Sequence, residues 1–394
     1  MSSRKIRFKK GIFQKLFWFL SIIFIICVIV IFIIKYLSAA SKFNDDKKIY
    51  EYVIANNNVS KVDDFYYFKG EEANNYLKYG NLLFRIVKIY KDGSMDIITD
   101  KSINSLYNKN DDIFKYVNDI FYKNLDHEYL NTSPYWEYVI DDGKNITCDK
   151  INFSSYVKLL SLTDFVNSMD SDKTYFNDMI LGTKNKDGNW VISDGKIAKG
   201  TDDMFNDIYP VVTLNGFVKY ESGEGTSENP FIVSSSSKIG SYVKIMDDTY
   251  IVNEVNGGNL KLTLVGDRIL VRKMYKDSFI DDLNLDFYND LEYKNLLVKY
   301  KVGVSEYKDT YTDCNKDKKE VYVGYPEISD LKLDNDVKDY YLINSGEEIY
   351  YYNNGTKIGN KNLSMKVQPV IMIKSSKISS GSGSITDPYV VEVK

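Results

Sequence analysis

The sequence predicts an α+β fold: two tandem, diverged modules rich in antiparallel strand, each with a helix, behind an N-terminal transmembrane helix. Three observations carry this. The first is an internal repeat. Residues 209–233 close on Pro210, Gly223, Gly225 and Pro230, and residues 368–391 close on Pro369, Gly381, Gly383 and Pro388 in the same order. The second is a pair of matched hairpin-and-helix segments at one constant spacing, with Tyr76 and Asn118 answered by Tyr242 and Asn284. The third is an uncharged apolar run at residues 17–34.

That run comes first in the chain. At 1.5 Å per residue a helix of it spans about 27 Å, enough to cross a bilayer. Arg4, Lys5, Arg7, Lys9, Lys10 and Lys15 precede it, and no acidic residue occurs in residues 1–40. The positive-inside rule then leaves residues 1–16 as a cytoplasmic tail, 17–37 as a single-pass plasma-membrane anchor and the bulk of the chain outside. Ser38, Ala39 and Ala40 would suit a cleavage site, but the run is longer than the apolar region of a signal peptide, so it is read as a signal anchor. Residues 38–67 form a juxtamembrane stalk.

Residues 68–233 are the first extracellular repeat, 234–238 a linker and 239–394 the second. Tyr76, Leu77 and Lys78 answer Tyr242, Val243 and Lys244. Apolar, strand-like segments on either side of Asp92 and Gly93, and of Gly257 and Gly258, read as hairpins. Both faces of these arms are apolar, which places them inside a sheet. Ile113, Val117, Ile120, Phe121 and Leu125 fall at helical spacing, as do Phe279, Leu283, Phe287 and Leu291. Asn118 and Asn284 sit at the same point of both helices, and since Asn is a mediocre helix former a side-chain hydrogen bond to a neighbouring loop is expected there. Each closing segment reads as a glycine turn followed by a proline that fixes entry to a last strand.

The chain resembles an uncharacterised family of membrane-anchored, exported proteins frequent in low-GC Gram-positive bacteria. The resemblance rests on Phe84, Arg85, Ile86 and Val87 before the turn at Asp92 and Gly93, on Asn118 and Phe121 in the helix, and on the closing signature. In the family that signature reads Arg-Pro-Val-Ile, Gly-Asp-Gly-Thr, Pro-Tyr; here Tyr209 and Gln368 replace the arginine, and Glu224 and Ser382 the aspartate. The likeness extends to modules of C-type lectin-like fold, and it implies a surface or cell-wall role.

Composition narrows the partners. Cations crowd the N-terminal segment, so the rest of the chain carries the whole excess of 55 acidic over 51 basic residues, and nucleic acid is not an expected partner. Catalysis has little to work with. His127 is the one histidine, and Tyr293 stands at its place in the second repeat, so it reads as a surface residue. No zinc or calcium spacing occurs, and neither cofactor nor metal is expected. Cys148 and Cys314, which share the repeat spacing, are nucleophiles, the two halves of a disulfide, or separately buried thiols, the last being the plainer reading. The expected function is a membrane-anchored extracellular binding protein, non-catalytic, whose ligand is a cell-wall polymer, glycan or surface protein, with duplication supplying avidity. The alternatives are a structural spacer or subunit of an envelope assembly, and a wall-glycan hydrolase using acids among Asp164, Asp178 and Asp330.

Overall fold

The computed structural model describes residues 19–23, 25, 26, 28, 30, 47–56, 59–69, 73–107, 110–131, 133–140, 146–168, 176–265, 270–273, 279–303, 318–333, 339–345, 348–353, 356–360 and 364–393. In the first half the strands are β1 (Val59–Val62), β2 (Phe65–Phe68), β3 (Tyr76–Tyr79), β4 (Leu82–Ile89), β5 (Met95–Thr99) and β6 (Asn104–Tyr107). They are followed by β7 (Leu130–Asn131), β8 (Ser133–Ile140), β9 (Ile146–Ser155), β10 (Val157–Leu159), β11 (Met179–Asn185), β12 (Gly188–Ser193) and β13 (Lys196–Lys199). This half ends with β14 (Phe205–Ile208), β15 (Pro210–Leu214) and β16 (Phe231–Val233).

The second half opens with β17 (Tyr242–Ile245), β18 (Asp248–Asn256), β19 (Asn259–Val265), β20 (Leu270–Lys273), β21 (Tyr300–Gly303), β22 (Lys318–Val321) and β23 (Val323–Gly324). It continues with β24 (Asp339–Ser345), β25 (Glu348–Asn353), β26 (Thr356–Asn360), β27 (Ser364–Val367), β28 (Val370–Lys374), β29 (Ile378–Ser380) and β30 (Tyr389–Val391). The fold is mixed α+β, dominated by antiparallel sheet with few helices.

Each half builds one large sheet on the same plan. The order β10-β15-β5-β4-β3-β16 in the first is matched by β23-β28-β19-β18-β17-β30 in the second. The first half adds β7 beside β15 and the hairpin β1-β2 beside β4; the second adds β29. Even the irregularities agree: β4 carries a bulge between Ile86 and Lys88, and β18 one at the equivalent place, between Val252 and Glu254. A three-stranded meander also repeats, as β11-β12-β13 and β24-β25-β26. It joins β8 in the first half and β27 in the second.

Apolar residues cover both faces of the first large sheet. Ile86, Ile97 and Val212 lie in one hydrophobic cluster, and Val87, Ile98 and Val211 in a second with Phe165, Phe176 and Leu181. Of the two-sided arms, β4, β5 and β19 are interior strands, and β18 is one as far as Ile251. The first cluster runs on through both halves of the chain.

The closing segments fold alike. Gly223 and Gly381 adopt φ +99° and +92°, and a Cβ there would lie 1.9 Å from the Pro230 carbonyl oxygen and 2.1 Å from that of Pro388. Tyr76 N donates to Gly225 O and Tyr242 N to Gly383 O, both at 2.8 Å. Pro230 and Pro388 then lead into β16 and β30, which pair in parallel with β3 and β17, the first strands of the plan the two sheets share. The other two signature prolines lie by inner strands: Pro210 begins β15 opposite Leu159, and Pro369, just before β28, accepts at its O from Leu264 N.

The two helices differ from simple α-helices. Tyr116–Phe121 and Asn284–Tyr288 are π-helical. In each the asparagine Nδ2 reaches back to the preceding turn, Asn118 to Phe114 O at 3.0 Å and Asn284 to Ile280 O at 2.8 Å, taking a carbonyl that an α-helical N–H would otherwise use. The run of serines read as a linker is tied down: Ser236 N and Oγ both donate to Asp126 Oδ2 at 2.7 Å, and Ser237 Oγ to Asn124 O. Of the 17–37 segment the described residues are helical, with Phe19, Leu20, Ile22, Ile25 and Ile26 more than half exposed. Among the described residues no helix is long and apolar enough to cross a membrane, and the remainder of that segment lies outside them.

Candidate functional site

Where the two halves meet, a cleft of about 650 Å³ opens between them. Repeat 1 contributes Asp119, Ile120, Lys123 and Asn124 from its helix, and repeat 2 contributes β18, β19, β21 and the loop before Leu331. Lys261, Glu327 and Asp330 line its floor, and with Lys332 they make four buried charges. Lys261 Nζ stands 3.1 Å from Glu327 Oε2 and 2.6 Å from Asp330 Oδ1. Glu327 Oε1 accepts from Gly303 N at 2.9 Å, Asp330 Oδ2 accepts from Glu327 N at 2.9 Å, and Lys332 Nζ donates to Glu327 O.

Repeat 1 holds this loop in place. Asn104 Nδ2 donates to Ile328 O at 2.7 Å, Lys332 N to Ile103 O at 2.7 Å, and Tyr116 OH to Asp330 O at 3.3 Å. Burial alone would raise the Asp330 carboxyl, but Lys261 and Lys332 outweigh it and hold it below its ordinary value. Burial would likewise depress Lys261, yet Asp330 and Glu327 keep it well above the usual lysine range. Lys332 is the weaker partner: burial lowers it to about 8 against the pull of Asp330. Two cations and two anions thus neutralise one another, as buried ions must.

No family model, curated protein or solved structure matches the chain. By strand pairing, Lys261 on β19 occupies the place of Asp96 on β5, since Lys88 opposes Asp96 as Glu254 opposes Lys261. Both signs are exchanged. Asp96 is also buried and meets Lys158 Nζ at 2.7 Å, Tyr90 OH at 2.7 Å and Thr213 Oγ1 at 2.6 Å. Asp164, the counterpart of Asp330, accepts from Lys88 Nζ at 3.0 Å and from Tyr67 OH at 2.9 Å. So the same carboxylate takes its lysine from β4 in one repeat and from β19 in the other.

Neither Asp164 nor Asp178 lines the cleft, so the three acids singled out from the sequence are not brought together there. Asp178 is exposed and adds to the burial that pushes Asp207 up to about 6. Asn118 and Asn284 do not line the cleft and clamp a strand each. Asn118 Oδ1 accepts from Val157 N at 3.3 Å while Nδ2 donates to Val157 O at 3.1 Å; Asn284 makes the same pair with Val323 at 3.0 and 2.5 Å. The closing-turn residues Pro210, Gly223, Gly225, Pro230, Pro369, Gly381, Gly383 and Pro388 belong to the scaffold described above.

Cys148 lies on β9 opposite Tyr138, whereas Cys314 falls outside the described residues. His127 is exposed, donates from Nε2 to Tyr122 O at 2.8 Å and stacks on the Tyr122 ring at 4.0 Å. Its counterpart Tyr293 turns inward to Asp248 and Tyr250. Among the described residues no group of three or more His, Cys, Asp or Glu is arranged to hold a metal ion.

Sequence reasoning missed Lys261, Glu327 and Lys332. Their signal is a lysine amid Leu260, Leu262 and Leu264 whose repeat partner is an aspartate. The spacing between the two departs from that of the rest of the repeat, because the turn from β18 to β19 is shorter: Val255 opposes Leu260, where Ile89 opposes Met95.

Proposed function

We propose that the chain is a membrane-anchored extracellular binding protein, N-terminus inside, that takes its ligand in the cleft between the repeats. The apolar run at 17–34 and the cations before it support the anchor. The resemblance to exported, membrane-anchored proteins of low-GC Gram-positive bacteria, and through them to C-type lectin-like modules, supports the outward face. The ligand class is a cell-wall polymer, glycan or surface protein.

The cleft is the observation that carries the reading. Its volume falls within the roughly 300–1,000 Å³ typical of ligand pockets, and it lies at an interface between two units, where such sites concentrate. Its buried ions are mutually satisfied, which suits a fixed floor rather than a proton shuttle. Asp119, Lys123, Glu254, Lys301 and Lys318 line it without forming ion pairs among the described residues, leaving both signs of charge to meet a ligand.

The experiment is co-sedimentation of the full chain, in detergent micelles, with wall sacculi purified from a low-GC Gram-positive bacterium, intact or stripped of secondary polymers. Saturable retention that falls at least tenfold in a Lys301→Ala, Lys318→Ala double variant is expected. Retention that the double variant leaves unchanged would remove the cleft from the reading. A second reading, a spacer in an envelope assembly, draws on the buried hydrogen bonds that lock the repeats together; concentration-dependent self-association without retention would favour it.

A further inference from the structure

We propose that the open edge of β18, inside the cleft, accepts an extended peptide segment of a partner protein, added as a strand beside residues 254–256 and carrying a cationic side chain opposite Glu254. This rests on the binding reading above and narrows its ligand.

In repeat 1 the same edge is covered. β4 is paired along its first half by β3, from Tyr79 opposite Leu82 to Tyr76 opposite Arg85. Its second half is paired by β2, with Tyr67 opposite Lys88 and Tyr66 opposite Ile89. In repeat 2, β17 pairs the first half of β18, from Ile245 opposite Asp248 to Tyr242 opposite Ile251. Beyond Ile251, no strand pairs with that side of β18 among the described residues. Glu254 and Val255 are the repeat counterparts of Lys88 and Ile89, following the same bulge. Repeat 2 therefore keeps the edge and lacks the strand that covers it.

What lies at the uncovered edge is the cleft itself, lined by Asn253, Glu254, Val255 and Asn256. One side chain of repeat 1 reaches it: Val255 N donates to Asn124 Oδ1 at 2.9 Å, so Asn124 satisfies one of the main-chain groups that a strand would satisfy in series. Asn253 is 5% exposed; its Nδ2 donates to Thr263 Oγ1 and Leu331 O, but its Oδ1 is buried without a hydrogen-bond partner. An added strand would bring donors to this stretch, which is how sheet edges bind extended peptides.

Charge selects the occupant. At the covered edge Lys88 meets the aromatic strand β2, with Nζ 4.2 Å from the Phe65 ring centroid. At the open edge the equivalent residue is Glu254, of opposite sign. Residues directly opposed across an antiparallel pair favour opposite charges, so the incoming segment places a lysine or arginine there.

The test uses the full chain in detergent and two fluorescein-labelled peptides copying residues 63–69, one bearing Tyr67→Lys and the other Tyr67→Glu, followed by fluorescence anisotropy. The lysine peptide is expected to bind at least tenfold more tightly than the glutamate peptide, and Glu254→Lys to reverse that order. Asn124→Ala is expected to tighten the lysine peptide severalfold by releasing Val255 N–H. Failure of both peptides to bind, or equal binding that Glu254→Lys leaves unaltered, overturns the proposal. So does a dimer of the chain that the lysine peptide does not dissolve. Sacculus retention in the absence of peptide binding would overturn the peptide alone; peptide binding in the absence of retention would overturn the polymer ligand and leave the strand-addition site standing.

Discussion

Replacing Lys261 by Met isolates the buried ion cluster. Met keeps most of the stem's bulk and deletes the ammonium shared by Glu327 Oε2 and Asp330 Oδ1. Two buried carboxylates then have Lys332 as their remaining buried cation, and Lys332 holds its proton less firmly than an ordinary lysine. Deleting one partner of a buried pair costs roughly 3–5 kcal/mol. Protonating one carboxylate is the alternative: for a carboxyl whose ordinary value is 3.8 this costs about 4 kcal/mol at pH 7, within the same range, at about 1.36 kcal/mol per pH unit. The expected loss is therefore about 3–4 kcal/mol at pH 7. At pH 4.5 the same protonation costs only about 1 kcal/mol, so the penalty should shrink accordingly. The native Asp330 is held below 3.8, so its contribution is present above that value and lost only as pH falls through its lower folded value. The two proteins thus converge between pH 7 and 4.5. Urea unfolding of the full chain in detergent, followed by circular dichroism at pH 4.5, 5.5 and 7, measures this. A loss below about 1 kcal/mol at pH 7, or one that does not change with pH, would refute the reasoning.

Other outcomes follow from the scaffold. Gly223→Ala and Gly381→Ala should each cost about 3 kcal/mol or more, because the new methyl meets a carbonyl oxygen at a positive φ, while Gly257→Ala, with nothing within 4 Å, should cost only about 1 kcal/mol; thermal melts distinguish them. Asn118→Asp should lose about 2–3 kcal/mol in denaturant titration, since a carboxylate cannot donate to Phe114 O or Val157 O. Asp207, pushed up to about 6 mainly by burial, binds its proton more tightly folded than unfolded, so stability should fall by up to about 3 kcal/mol as pH rises from near 3.8 through 6. Asp207→Asn should flatten that slope and raise Tm at pH 7.

The legible parts of the fold are those fixed by local chemistry. Asp92 with Gly93 and Gly257 with Gly258 turn the chain, two-sided apolar arms mark interior strands except for β18 beyond Ile251, and the hairpins β4-β5 and β18-β19 lie where the turn signals put them. What a periodic pattern cannot carry is a local change in chain length. The π-helical turns at Asn118 and Asn284 keep Val117, Phe121 and Phe287 buried, so the 3.6-residue rhythm is unbroken to the eye. The shorter turn between β18 and β19 shifts the second arm of that hairpin against its repeat partner, which hid the equivalence of Asp96 and Lys261. Lys261, flanked by leucines in alternation, reads as a solvent-facing residue until the loop at 327–332 is laid over it. That loop is held by Asn104 and Tyr116, both in the other repeat, and no local signal reports such a contact.

The parallel closure of each large sheet sets a direction for growth. In both halves the last strand runs alongside the first strand of the shared plan, β16 beside β3 and β30 beside β17, and in the same sense, so that plan begins at one end of the strand pair and ends at the other. A unit that returned to its starting point would send the next copy back over itself. This one hands the chain onward. Duplicating the coding segment therefore joins a new copy head to tail without rethreading the old one, and only the surfaces brought face to face need to adapt. The exchanged charges at Asp96 and Lys261, and the hairpin kept beside one edge and absent from the other, are where this chain has made that adaptation.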